Sequence, residues 1–195
     1  SSVLILFLLI FNTSLANTYS SDPQMFVQEL VNDSISKLSD KDLTEEQKKK
    51  FIEKVATENV DIDALGLYTL GELRKSADKN DIFKYQQAFK KYFLKSLTSR
   101  LTDYSSNKFE VIETEKKSSN YTIVKSRIAK SEKQPEIKID WRIYTKNPDN
   151  PLIRDLIIEG LSLARTQKEE FASILNSNDG DIDALYEALE KFANN

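Results

Sequence analysis

The stretch from Lys108 to Gly160, KFEVIETEKKSSNYTIVKSRIAKSEKQPEIKIDWRIYTKNPDNPLIRDLIIEG, decides the fold. Up to Leu101 apolar residues recur every three to four positions; from Phe109 they recur every two. That change of period is the change from helix to strand. Phe109, Val111 and Glu113 open one strand, and Lys117-Ser118-Ser119-Asn120 reads as a turn. Tyr121, Ile123 and Lys125 alternate with Thr122, Val124 and Ser126 in a second strand. Ser131 to Pro135 breaks the pattern, after which Ile137, Ile139, Trp141 and Ile143 share one face of a third, opposite Lys138, Asp140 and Arg142. Asn147-Pro148-Asp149-Asn150-Pro151 is a strong turn signal, and Leu152 to Glu159 makes a fourth strand, closed by Gly160. Connections this short favour antiparallel pairing, because parallel neighbours need long crossovers. The sheet then has an apolar face to cover, and helices must cover it.

Those helices are legible upstream. Asp22 opens the first, with Pro23 in its first turn and Phe26, Val27, Leu30, Val31, Ile35 and Leu38 as its stripe. Thr44-Glu45-Glu46-Gln47 is a capping box and starts a second helix, which buries Phe51, Ile52 and Val55 and ends near Val60. Asp61 or Asp63 opens a short third through Leu65, Leu67, Tyr68 and Leu70, where Gly66 and Gly71 let another backbone come close. The fourth runs from Ile82 to Leu101 with Tyr85, Phe89, Tyr92, Phe93 and Leu97 on its apolar side. At about 30 Å it is long enough to lie along a whole sheet face. Downstream, helices are expected over 166–175 and 181–192, the latter carrying Ile182, Leu185, Leu189 and Phe192. The hexapeptides DIDALG (61–66) and DIDALY (181–186) sit in unlike surroundings and read as two similar helix starts, not a duplication. The sum is an α+β architecture: N-terminal helices and a long helix on a curved antiparallel sheet of about four strands, closed by C-terminal helices; the periodicity is the same for an enclosed apolar cavity and for a solid core.

Residues 1–16, SSVLILFLLIFNTSLA, carry no charge. Val3 to Phe11 is too short to cross a bilayer core of roughly 30 Å as a helix. A signal peptide needs only such a run and a small-residue cut, here after Ser14-Leu15-Ala16. Export is therefore expected, with 17–195 forming one domain that has a helical lobe at about 40–78. Asn17 after the cut, in place of cysteine, excludes a lipid anchor at that position.

The formal charge of −3 gives no footprint for nucleic acid. The chain has no cysteine and no histidine. It can build neither a Ser-His-Asp nor a Cys-His arrangement, nor a zinc site with His or Cys ligands. Asp61-Ile62-Asp63 and Asp179-Gly180-Asp181-Ile182-Asp183 lack the loop length and terminal Glu of an EF-hand and read as helix caps, so no metal and no cofactor is expected.

Asp155-Leu156-Ile157-Ile158-Glu159-Gly160-Leu161-Ser162-Leu163 resembles the strand-end signature of the MlaC family, the toluene-tolerance or Mla periplasmic phospholipid-binding proteins. Tyr68-Thr69-Leu70-Gly71, the aromatic helix with Phe89, Phe93, Leu97, Leu101 and Tyr104, Ile137 to Arg142, Thr166 to Phe171 with Ile174-Leu175, and Gly180 to Leu185 are similar to that family in order and spacing. Leu161 stands where the family more often has Val. The resemblance implies an NTF2-like or cystatin-like fold around an apolar cavity, and a soluble periplasmic carrier in which 17–195 is one lipid-binding domain; a monomer is the default expectation. The carrier would move a glycerophospholipid between an outer-membrane lipoprotein/porin complex and an inner-membrane MCE-domain ABC transporter, without catalysis. Its cavity wall is expected to include Tyr68, Leu70, Tyr85, Phe89, Phe93, Trp141, Ile158 and Leu163, with Arg74, Arg142 and Arg165 as headgroup or partner contacts. Alternatives are a protein-binding adaptor, a carrier of a hopanoid or other apolar lipid, and an enzyme using Asp140 or Asp155.

Overall fold

The computed structural model describes residues 17–101 and 108–195. The expected signal peptide (1–16) and Tyr104 lie outside them, as does the side chain of Leu101. Helices α1 (Pro23–Leu38), α2 (Glu45–Asn59), α3 (Ile62–Leu70) and α4 (Lys79–Leu101) come first, with a 3-10 turn (Gly71–Lys75) after α3. Strands β1 (Phe109–Lys116), β2 (Tyr121–Ile128), β3 (Ile137–Tyr144), β4 (Leu152–Ile158) and β5 (Leu161–Ser162) follow, then α5 (Leu163–Asn176) and α6 (Ile182–Asn194). The expected helical lobe thus holds α2, α3 and the 3-10 turn. No helix among the described residues is long and apolar enough to cross a membrane.

Helix starts follow the caps in the sequence. Asp22 accepts from the Met25 N–H. Thr44 and Gln47 complete the capping box, at 3.2 and 2.8 Å. Asp61 accepts from Ala64 N and Asp181 from Asp183 N, so both DID segments are helix starts. Each such cap satisfies an otherwise orphaned amide and stabilises by about 0.5–2 kcal/mol.

The sheet is fully antiparallel in the order β1-β2-β3-β4-β5. Cross-strand partners share a face, so Val124, Trp141 and Leu156 form one row, and Ser126, Ile139 and Ile158 another. α1 covers this face with Phe26, Val27 and Leu30, which pack with Val124, Trp141, Ile143 and Ile153. Trp141 resolves its polar atom inside this core: Nε1–H donates to Ser126 Oγ at 2.9 Å, and that hydroxyl donates to the Ile139 carbonyl.

A second core is helical. Ile62 and Leu70 of α3, Tyr85, Ala88 and Phe89 of α4, Phe171 and Leu175 of α5, and Leu185 and Leu189 of α6 pack together. Two placements differ from the sequence reading. The long helix has α6 and α3 as its main partners rather than the sheet, because its aromatics find theirs there: Phe89 meets Tyr85, Tyr92, Phe93 and Phe171 at centroid distances of 6.0–6.3 Å. Gly160 does not end the sheet either. Glu159 and Gly160 both take positive φ (49° and 80°), the backbone of a two-residue hairpin, and return the chain for β5. α5 consequently starts at Leu163, capped by Ser162, and not near Thr166.

Candidate functional site

The two cores meet at β4. Val60 packs against both and forms a parallel bridge with Ile153, and the Asp61 N–H donates to the Ile153 carbonyl at 2.9 Å. On the sheet face away from α1, this junction holds a half-open recess of about 210 Å³. α3 contributes Ala64, Leu65 and Tyr68; the sheet contributes Tyr121, Arg142, Arg154 and Asp155; Ser162, Ala164 and Arg165 close it at the start of α5. Ala64, Leu65 and Ala164 make an apolar floor, and Leu65 packs in turn against the helical core.

A bulge places the arginines. Arg142 pairs with Asp155 but Ile143 pairs with Ile153, so Arg154 is an extra residue in β4. Strict alternation would send Arg154 to the α1 face; the bulge turns it to the same side as Asp155. There its Nε–H and Nη2–H donate to Asp61 Oδ2 at 3.0 and 2.8 Å, and its Nη1–H donates to the Tyr121 hydroxyl at 2.6 Å. Its guanidinium also lies 3.5 Å from the Tyr144 ring centroid.

Arg142 stacks on the other aromatic, 4.0 Å from the Tyr121 centroid. Among the described residues it forms no ion pair. Its cross-strand neighbour Asp155 is otherwise engaged, accepting from Ser162 Oγ–H at 2.5 Å and from Ala164 N–H at 3.0 Å. Asp155 thus neutralises the positive N-terminal end of α5. Arg165 donates to Glu169 at 3.1 Å across an exposed i,i+4 pair, a contact worth only a few tenths of a kcal/mol, about 0.3–0.5.

The structure brings Tyr68, Arg142 and Arg165 together at this recess. Leu70, Tyr85 and Phe89 are instead interior to the helical core (2, 0 and 1% exposed), with Phe93 half-buried beside them. Burial pushes the Tyr85 phenol well above its usual range, and its hydroxyl meets Thr69 Oγ1 at 2.8 Å. Trp141 is in the sheet core, Ile158 is half-buried on the same face, and Leu163 is exposed in the first turn of α5. Arg74 is held by the Gly71 carbonyl at 3.1 Å. Asp140 is on the far face opposite Lys125. Arg154 and Tyr121 complete the recess and were not singled out from the sequence. The one available signal was a charge interrupting the otherwise apolar start of β4.

Fold and recess define an α+β protein with an open antiparallel sheet, two apolar cores and a basic mouth between them. The family model described as MlaC protein matches residues 28–191, and the chain belongs to the MlaC family. Among solved structures, the phospholipid-binding protein from Ralstonia solanacearum, in complex with a phospholipid, has a similar fold. Its TM-score is 0.70 at 19% identity, over 87% of this chain and 96% of that one. No curated protein matches.

Proposed function

We propose that this protein is an exported, non-catalytic lipid carrier of the periplasm, acting as one lipid-binding unit from Asn17 onward. Its cargo is a glycerophospholipid held by its acyl chains. It exchanges that cargo with an outer-membrane lipoprotein/porin complex on one side and an inner-membrane MCE-domain ABC transporter on the other. Family membership and the phospholipid seen in the Ralstonia relative support the cargo class. The observation that carries the reading in this molecule is the recess itself: a basic rim over an apolar floor that leads, through Leu65, to an aromatic-rich helical core.

The need for such a protein is physical. Each methylene exposed to water costs roughly 0.8 kcal/mol, so two acyl chains do not cross an aqueous gap unaided. A carrier has only to offer shelter comparable to a membrane and then release its load. Even a drug-sized ligand fills roughly 300–1,000 Å³. The 210 Å³ recess therefore fits the polar end of a lipid and not its chains. On this reading the chains pass the floor toward Leu70, Phe89 and Phe93, and α3 and α5 move apart to admit them.

The test is native mass spectrometry on protein purified from its own periplasm, before and after organic extraction. One two-chain phospholipid per protein is expected. A folded protein carrying no lipid would refute the reading and favour an adaptor, while a sterol-like mass would keep a carrier but change its cargo.

A further inference from the structure

We propose that the recess at the β4 bulge is a phosphate-ester site, which takes the phosphodiester of the cargo's headgroup through Arg142 and Arg165, with the unused N–H donors of Arg154, whose charge Asp61 balances, behind them. This assignment rests on the carrier reading. Arginine suits the task because its planar fork meets phosphate oxygens through two parallel N–H donors.

The three guanidiniums differ in readiness. Arg154 is immobilised by Asp61 and Tyr121, yet of its five N–H groups only three are used there. Arg142 is held side-on by the Tyr121 ring, and no carboxylate among the described residues neutralises it. Stacking of this kind orients the cation while its N–H edge still faces solvent. Arg165 is tied only to exposed Glu169 and can swing over the mouth.

The facing charges do not defeat the site. Asp61 is occupied by Arg154, and both oxygens of Asp155 are turned to Ser162 and the α5 amide. Lys168 adds a further positive charge beside Tyr68, 5.2 Å from its ring centroid. Tyr68, 38% exposed, lines the same recess and offers a hydroxyl and a ring edge where the glycerol would lie. A phosphate here is thus positioned directly above the apolar floor, as a molecule with chains below and charge above requires.

The experiment compares vesicle-extracted loading of phosphatidylglycerol with that of diacylglycerol bearing the same chains, in the wild type and in an Arg142→Ala/Arg165→Ala variant; Arg154 is kept because it ties elements together. The wild type should prefer the phospholipid by about tenfold or more, the scale of one charge-assisted pair. The variant should fall to within about threefold while loading diacylglycerol as before. Equal loading of both lipids by the wild type, or a variant that keeps the preference, overturns the site but leaves the carrier standing. Loading of neither lipid sinks the carrier reading itself. Glycerol 3-phosphate is the third arm: expected to bind only weakly, it would reassign the recess to a free phosphate ester if it bound as tightly as the lipid.

Discussion

Replacing Gly66 by alanine sets two effects of opposite sign against each other inside α3. Helix propensity favours alanine over a mid-helix glycine by roughly 0.5–1 kcal/mol. The new Cβ, however, would stand 3.0 Å from Phe89 Cδ1 and 3.3 Å from its Cγ. With α3 and α5 closed, Phe89 is 1% exposed and wedged between Tyr85, Tyr92, Phe93 and Phe171, so its ring has no adjacent space to move into. Overpacking of a fixed core costs about 1–3 kcal/mol. The packing loss wins, leaving a net destabilisation of roughly 1–2 kcal/mol, or a fall in Tm of about 2–8 °C for a chain of this size. Thermal and urea unfolding of Gly66→Ala would read this directly. Because the clash is with one ring, Gly66→Ala combined with Phe89→Leu should be less destabilised than the sum of the two single variants. An unchanged or raised Tm for Gly66→Ala would refute the reasoning, since it would mean that the α3–α4 contact yields and propensity decides.

Other expectations follow from the same contacts. Burial pushes the phenols of Tyr19, Tyr85 and Tyr92 upward, with an Asp33 hydrogen bond adding to the effect at Tyr19. In the unfolded chain these groups ionise near the ordinary value of about 10, so above that pH the unfolded state binds fewer protons and stability falls as pH rises. Absorbance at about 295 nm should accordingly show part of the eight tyrosines titrating only as the protein unfolds; smooth ionisation of all eight in the folded state would contradict it. Asp61→Ala removes both the α3 cap and the partner of Arg154, and should cost roughly 2–3 kcal/mol in urea unfolding. Asp61→Asn keeps a capping oxygen and should cost about half as much; equal losses would show that the cap contributes little. Phe93→Asp, half-buried on α4, should give folded protein with reduced lipid loading. The same change at Phe89 buries an unpaired carboxylate in the helical core and should prevent folding. Full loading of folded Phe93→Asp would remove α4 from the path of the chains.

The elements were legible because their signals are local. The change of period at Phe109, the capping residues Asp22, Thr44, Asp61 and Asp181, and the turn after Tyr144 each act within a few residues. What each helix would touch was not, because an apolar stripe reports that a face is buried without naming its partner. α4 carries the same stripe whether it lies on a sheet or on α6. The recess was half legible for a related reason. Arg142 and Arg165 stand out as charges near expected element ends, whereas Arg154 reaches the site only because β4 gains a residue relative to β3. A bulge is a property of two strands together, so no reading of one strand reveals it. Leu70, Tyr85 and Phe89 show the converse: the spacing marked them as interior, but a packed interior and a lipid-facing wall obey the same spacing.

β1 has a consequence of another kind. Among the described residues it is one of the two edges of the sheet, and Ile112 to Lys116 are exposed. Ile112 is pushed out of register there by a bulge between Val111 and Glu113. Glu110, Glu113 and Glu115 along it pair across to Arg127 and Lys125. An unprotected strand margin invites a second molecule to add its own strand, and repetition of that step leads to fibres. Glutamates along the edge and an irregular ladder make such stacking unfavourable, so molecules that collide in a crowded compartment should separate again rather than accumulate as aggregates.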